Sequence, residues 1–185
     1  MRSIIAIAIA ALSAAVFAAP IPVSAADPVV RGVASSRFTA SSTLHDFSGS
    51  APAANFTVAP ASNGSWTAVV EVPVNGLTTE NSLRDRRMRE MFRADEHPVL
   101  HADFTNIVPD RVRTSARLPF RLTIAGATRD VFAVVSNWRA SEKQIDFTAA
   151  YDVSLADFGL EAPRTFVIVV ADSVHVTTDV SLRQE

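Results

Sequence analysis

The sequence predicts an all-β fold, an antiparallel sandwich or barrel of eight strands with one short helix. Three observations carry this. Apolar and polar residues alternate over long stretches: in Ile145-Asp146-Phe147-Thr148-Ala149-Ala150-Tyr151-Asp152-Val153-Ser154-Leu155 every odd position is apolar, and the rhythm returns over 174–182 and 118–124. Strand side chains point to opposite faces in turn, so such segments have one wet face and one apolar face. Turn-forming residues punctuate the chain between these stretches, and a single segment carries a helical pattern.

Taken in order, the strands are Val33–Thr43, Phe47–Ala59, Ser65–Val74, Val99–Val108, Arg111–Ala125, Thr128–Arg139, Gln144–Leu155 and Phe166–Leu182. Between them lie Pro60 to Gly64 with an Asn-Gly pair, Pro109-Asp110, Gly126, Arg139 to Lys143, and Asp157 to Pro163, all residue types that favour turns. The helix falls between the third and fourth strands. Ser82 can cap it with Asp85 three residues on, and Leu83, Met88, Met91 and Phe92 form a partial apolar stripe. Pro98 marks the return to extended chain. A helix this short is marginal alone, so it is expected to close one end or one seam of the sheet.

Parity assigns an inner face. It takes Phe38 and Ala40 from the first strand, then Trp66, Ala68 and Val70, and then Leu100, Ala102 and Phe104. Val112, Ala116, Leu118, Phe120 and Leu122 follow, with Phe147, Ala149, Tyr151, Val174 and Val176 from the last two strands. Large and small residues are mixed on this face. In a small barrel the mixture can fill the interior completely, or leave a pocket walled by rings and floored by alanines.

The chain begins with a basic Met1-Arg2-Ser3, runs through small and apolar residues from Ile4 to Ala19, and breaks at Pro20 and Pro22 ahead of Val23-Ser24-Ala25-Ala26. This reads as a cleaved secretory signal over 1–26, so the mature chain is expected to start at Ala26 or Asp27. The apolar run falls short of the roughly 20 residues a spanning helix needs. Residues 27–185 then make one exported domain, periplasmic or secreted, large enough for its own core. The formal net charge is −2 with no basic block, which gives no footing for nucleic acid. There is no cysteine, which excludes disulfides, thiolate metal sites and cysteine nucleophiles.

Other chemistry finds little support. His97 and His101 have the four-residue spacing of a helical zinc pair, but after Pro98 they fall on a strand, about 13 Å apart. His175 has the polar parity, and His45-Asp46 sits at a strand end. No Gly-x-Ser-x-Gly elbow or phosphate loop is present. No metal site and no enzymatic activity are expected. Arg84, Arg86, Arg87, Arg89 and Arg93 make the helix locally basic in an acidic protein. They form either a solvated face with intrahelical ion pairs, or a membrane-docking face for anionic headgroups carried by Arg86, Arg87 and Arg89.

Several motifs resemble the YceI-like proteins. Leu122-Thr123-Ile124-Ala125-Gly126-Ala127-Thr128-Arg129 is similar to the family's Leu-Thr-Ile-x-Gly-Val-Thr-Lys/Arg hairpin, and Phe47-Ser48-Gly49 to its Phe-x-Gly element. The stretch from Thr79 through Phe92 to Phe104 resembles its helix followed by Tyr-Pro-x-(Ile/Met)-x-Phe, and Asp157-Phe158-Gly159-Leu160 its late turn. Phe120 stands where many members carry Gly, His97 replaces the common Tyr, and Ser42-Thr43-Leu44-His45-Asp46 also departs from the pattern. The resemblance implies a lipocalin-like antiparallel β-barrel with an apolar tunnel for a long isoprenoid chain or quinone tail, acting as carrier or buffer. Candidate ligand-binding residues are Phe38, Ala40, Trp66, Ala68, Leu100, Ala102, Phe104, Ala116, Leu118, Phe120, Leu122, Phe147, Tyr151, Val174 and Val176. No cofactor is expected beyond a bound isoprenoid lipid or quinone. The alternative is a filled barrel serving as an accessory module beside a membrane electron-transfer protein.

Overall fold

The computed structural model describes residues 30–61, 63–108, 111–113, 115–162 and 169–185. The expected signal segment and cleavage site lie outside them. The strands are β1 (Val30–Ser42), β2 (Phe47–Ser50), β3 (Ala54–Pro60), β4 (Trp66–Pro73), β5 (Val99–Ile107), β6 (Arg117–Ile124), β7 (Ala127–Ala140), β8 (Gln144–Ser154) and β9 (Val170–Gln184), with one helix, α1 (Ser82–Met91).

From β3 to β9 each strand pairs antiparallel with the next, and β9 returns to β1 along most of its length, closing the sheet into a barrel. On β1's other edge, β3 pairs with Val30–Ala34 and β2 with Arg37–Ala40. These two short strands together fill one stave, so the barrel has the eight expected staves. The stretch Phe47–Ala59, expected as one strand, is broken at Ala51-Pro52-Ala53, where proline has no N–H for a ladder. Freed from β3, β2 bridges on its outer edge to Thr78: Ser50 N donates to the Thr78 carbonyl at 2.8 Å, and Thr78 N to the Ser50 carbonyl at 3.0 Å. Gly49 permits this approach. A Cβ there would lie 2.6 Å from the Thr78 carbonyl oxygen and would collide with the Phe38 ring on the paired residue.

The segment after Thr78 delivers α1 to one end of the barrel. The cap is Asn81, not Ser82: Asn81 has extended backbone, and its side chain accepts from Arg84 N at 3.0 Å, leaving Ser82 as the first helical residue. Asp85 reaches back from the first turn. It accepts from Thr79 N at 2.8 Å, Thr79 Oγ1 at 2.6 Å and Thr78 Oγ1 at 3.0 Å. Met88 and Phe92 then bury against Val74, Leu77 and the inner residues of β6.

Past the helix, Arg93 donates to the Ala125 carbonyl at 2.6 Å. That carbonyl belongs to the β6–β7 hairpin, where Ala125 (φ 48) and Gly126 (φ 82) make a two-residue turn with both φ positive. The His97 ring lies 2.8 Å from where a Cβ on Gly126 would sit, so glycine is needed for space as well as conformation. One further expectation needs correction. The strand foreseen from Arg111 begins at Arg117, after a turn in which Ser115 has φ 67. The last strand is described only from Val170, and its expected start at Phe166 lies outside the described residues.

Candidate functional site

The barrel is hollow. A cavity of about 490 Å³ runs along it, from Ala34 near the start of β1 to Ser42 at its end, within the range typical of ligand sites. The filled-barrel alternative therefore finds no support. Phe38 and Ala40 line it from β1, Trp66 and Ala68 from β4, and Leu100, Ala102 and Phe104 from β5. Leu118, Phe120 and Leu122 follow from β6, Phe147 and Tyr151 from β8, and Val174 and Val176 from β9. Rings give the wall its shape. Phe104 stacks on Phe120 with centroids 5.0 Å apart, and Phe120 meets Tyr151 edge-on at 5.1 Å.

Ala116 is the one candidate off this wall. It packs against the core from the turn before β6. Parity is defined only inside a strand, and the left-handed Ser115 resets it just ahead of Ala116.

Trp138 was not foreseen by parity and lines the cavity, stacked on Phe147 at 5.6 Å. Strict alternation from Ala133 and Val135 would turn Asn137 inward instead. Between Ser136 and Arg139 the register shifts against β8, with Asn137 at φ 52, and this bulge swings Trp138 in. A second bulge on β5, with Asn106 at φ 56, does the same for Ile107. Asparagine tolerates the left-handed region better than most residues, which suits it to both places.

Polar groups on the wall are few. At mid-barrel Ser36 and Thr178 hydroxyls share a hydrogen bond at 2.8 Å. Burial pushes the Tyr151 hydroxyl up to about 12, against a smaller opposing hydrogen bond from Thr178. That phenol stays neutral at physiological pH. The remaining polar side chains gather mainly at the α1 end, where Ser42, His45, Asn81, Arg84 and Arg87 reach the wall.

The three arginines expected to share a docking face are divided by the helix. Arg86 points outward and pairs with Glu90 at 3.9 Å, Arg87 lines the cavity mouth, and Arg89 is the nearby positive charge that acts on Asp85. The histidines do not converge. His97 lies on Gly126, His101 contacts Glu71 at 3.3 Å, and His175 bonds Asp152 at 2.8 Å between paired strands. Among the described residues no group of three or more His, Asp or Glu side chains could hold a metal.

Comparison with known proteins agrees with this architecture. BcnA of Burkholderia cenocepacia superimposes with a TM-score of 0.65 at 14% identity, over 80% of this chain and 95% of that one. A polyisoprenoid-binding domain from Saccharophagus degradans, implicated in plant cell wall breakdown, gives 0.64 at 14% identity, over 84% and 98%. A YCEI protein of Campylobacter jejuni gives 0.53 at 18% identity, over 74% and 84%. At such identities the likeness is one of fold. No curated protein sequence matches. The family model of the YceI-like domain matches residues 26–182, and the chain belongs to the YceI-like family.

Proposed function

We propose that this protein is exported to the periplasm or beyond, and there binds a long apolar lipid, a polyisoprenoid or an isoprenoid quinone, as carrier or buffer. The observation that carries the reading is the cavity, about 490 Å³ of space walled along the barrel by Phe, Trp, Val, Leu and Ala side chains. At ~0.8 kcal/mol per buried CH₂, a few isoprene units suffice for useful affinity. The polyisoprenoid-binding description of the Saccharophagus neighbour supports the same ligand class. The mechanism is transfer of apolar surface from water to a dry tunnel and includes no chemical step.

Material purified without detergent from the native host is the test. Intact mass should show a chain starting at Ala26 or Asp27, and mass spectrometry of an organic extract should show stoichiometric isoprenoid. A chain that retains Met1 and sediments with membranes sinks the export proposal. A lipid-free protein that takes up no added polyprenol sinks the ligand proposal.

The basic helix at the mouth makes transient membrane contact part of the proposal, because lipid must enter from a bilayer. Replacing Arg86, Arg87 and Arg89 with Gln should weaken binding to phosphatidylglycerol vesicles several-fold at low salt, and the difference should fade near physiological ionic strength, where the Debye length is about 8 Å. Equal binding by wild type and variant at low salt would make α1 an ordinary solvated face.

A further inference from the structure

We propose that Leu44, Leu83 and Val169 form an apolar rim that enters the acyl region of a bilayer, so that the cavity opens into hydrocarbon with no layer of water between. The proposal rests on the lipid-binding reading and deepens it, from contact with a membrane surface to insertion into one. Among the described residues only two of the exposed large apolar side chains are leucines, Leu44 at 59% and Leu83 at 50%. Both belong to the segments around the α1 mouth, and Val169, at 42%, is the third exposed side chain there. By contrast, Val33, Val69, Phe132 and Val134 lie within strands, on the outer wall of the barrel.

Three separate segments supply the rim, and the backbone holds them together. Leu44 sits in the turn between β1 and β2, which Ser42 Oγ closes by donating to the His45 carbonyl at 2.6 Å. Val169 is tied to that turn: Thr43 N donates to its carbonyl at 3.1 Å, and its own N–H donates to Thr43 Oγ1 at 3.2 Å. Leu83 joins from the first turn of α1. Its neighbour Arg84 stacks on Phe47, the residue that opens β2, with the guanidinium 4.4 Å from the ring centroid. A protein seated on the three tips would also cover the opening they surround, and lipid could neither enter nor leave. A bilayer covers them and offers the same apolar medium as the cavity wall. Complementary charge stands beside them, since α1 carries four arginines against Asp85 and Glu90, and Asp85 is turned in to Thr78 and Thr79. Asp46 and Glu80 lie near the tips in sequence, so charge alone gives a weak hold and the apolar side chains carry the contact.

The test uses the lipid-loaded protein purified without detergent, and vesicles of phosphatidylethanolamine and phosphatidylglycerol. The chain has no cysteine, so Leu44→Cys, Leu83→Cys and Val169→Cys each give a single attachment point for a nitroxide. Phe132→Cys is the control, an apolar position of similar exposure at 49% on the side of the barrel. With vesicles, labels at 44, 83 and 169 should lie about 5–10 Å below the headgroup boundary, judged by accessibility to oxygen against a water-soluble nickel complex. The label at 132 should stay in water. Leu44→Ser should bind the vesicles about tenfold more weakly with an unchanged lipid load. That difference should persist at about 1 M salt, where the Debye length is about 3 Å and the arginines are screened.

Labels that all remain in water while the vesicles bind would mean that the arginines act alone, which overturns insertion and leaves lipid binding standing. Immersion at 132 in place of the rim overturns it as well. Spin–spin broadening at position 44 without vesicles would make the rim an interface between two copies of the chain, which also overturns it. Lipid content is read separately by organic extraction. Protein that carries no lipid and takes up no added polyprenol defeats the lipid-binding reading itself, and this proposal with it.

Discussion

Replacing Ala102 with Trp is expected to empty the barrel without unfolding it. Ala102 lies on β5 between Val70 of β4 and Leu122 of β6, and all three line the cavity. An indole projecting from this position enters space that no side chain occupies, so it displaces ligand rather than core. Lipid per mole of purified protein should fall by about tenfold or more, since each CH₂ denied burial costs ~0.8 kcal/mol. The denaturant midpoint of the delipidated variant should stay within about 1 kcal/mol of wild type. Ala116→Trp is the contrasting case. Ala116 packs against the core from outside the wall, so a Trp there is overpacking, costing ~1–3 kcal/mol with lipid content preserved. A full lipid load in Ala102→Trp, or strong destabilisation of the lipid-free protein, would contradict a hollow ligand-filled barrel.

Much of that wall was legible from the sequence because strand parity is a local property. Once Phe104 and Phe147 are placed inward, Ala102, Leu100, Ala149 and Tyr151 follow without knowledge of any partner strand. Parity loses its meaning where the backbone leaves the strand. The bulges at Asn106 and Asn137 exist because a neighbouring strand has one residue fewer in register, and a single segment's pattern does not contain that information. Trp138 was hidden for this reason. Ala116 was misplaced for the related one, a turn inside what read as continuous alternation. The break at Pro52 is legible, since proline cannot serve a ladder on both edges, although the residues on either side of it read as one long strand. The five arginines of the helical stretch showed as a basic helix. Their division into cavity-facing and outward members depends on how α1 is rotated, and that rotation is set by contacts with Thr78, Thr79 and the barrel end.

Asp85 is the residue on which that rotation depends, and its removal is expected to be the most destabilising single change in the helix. Its residue is only 8% exposed. Burial by itself would raise the carboxyl's pKa, but hydrogen bonds from Thr79 and Thr78, with the charge of Arg89, outweigh it and hold the pKa below the usual value. Asp85→Ala leaves the Thr79 N–H and hydroxyl without their acceptor and should cost roughly 2–4 kcal/mol. Asp85→Asn keeps the shape and imitates the protonated acid, so it separates charge from packing. Because the folded pKa is depressed, the carboxylate's contribution is complete above the unfolded value of about 3.9 and is lost as pH falls through the lower folded value. The stability gap between wild type and Asp85→Asn, measured by urea denaturation, should therefore hold steady from neutral pH to about 4 and close below it. A gap that instead narrows between pH 8 and 6 would assign the effect to another group. The same variants bear on function. With α1 loosened, Arg84 and Arg87 lose their fixed place at the mouth, so bound lipid should exchange to acceptor vesicles faster in Asp85→Ala, even at temperatures where the barrel remains folded. Unchanged exchange at full folding would show that α1 closes the barrel end without controlling passage through it.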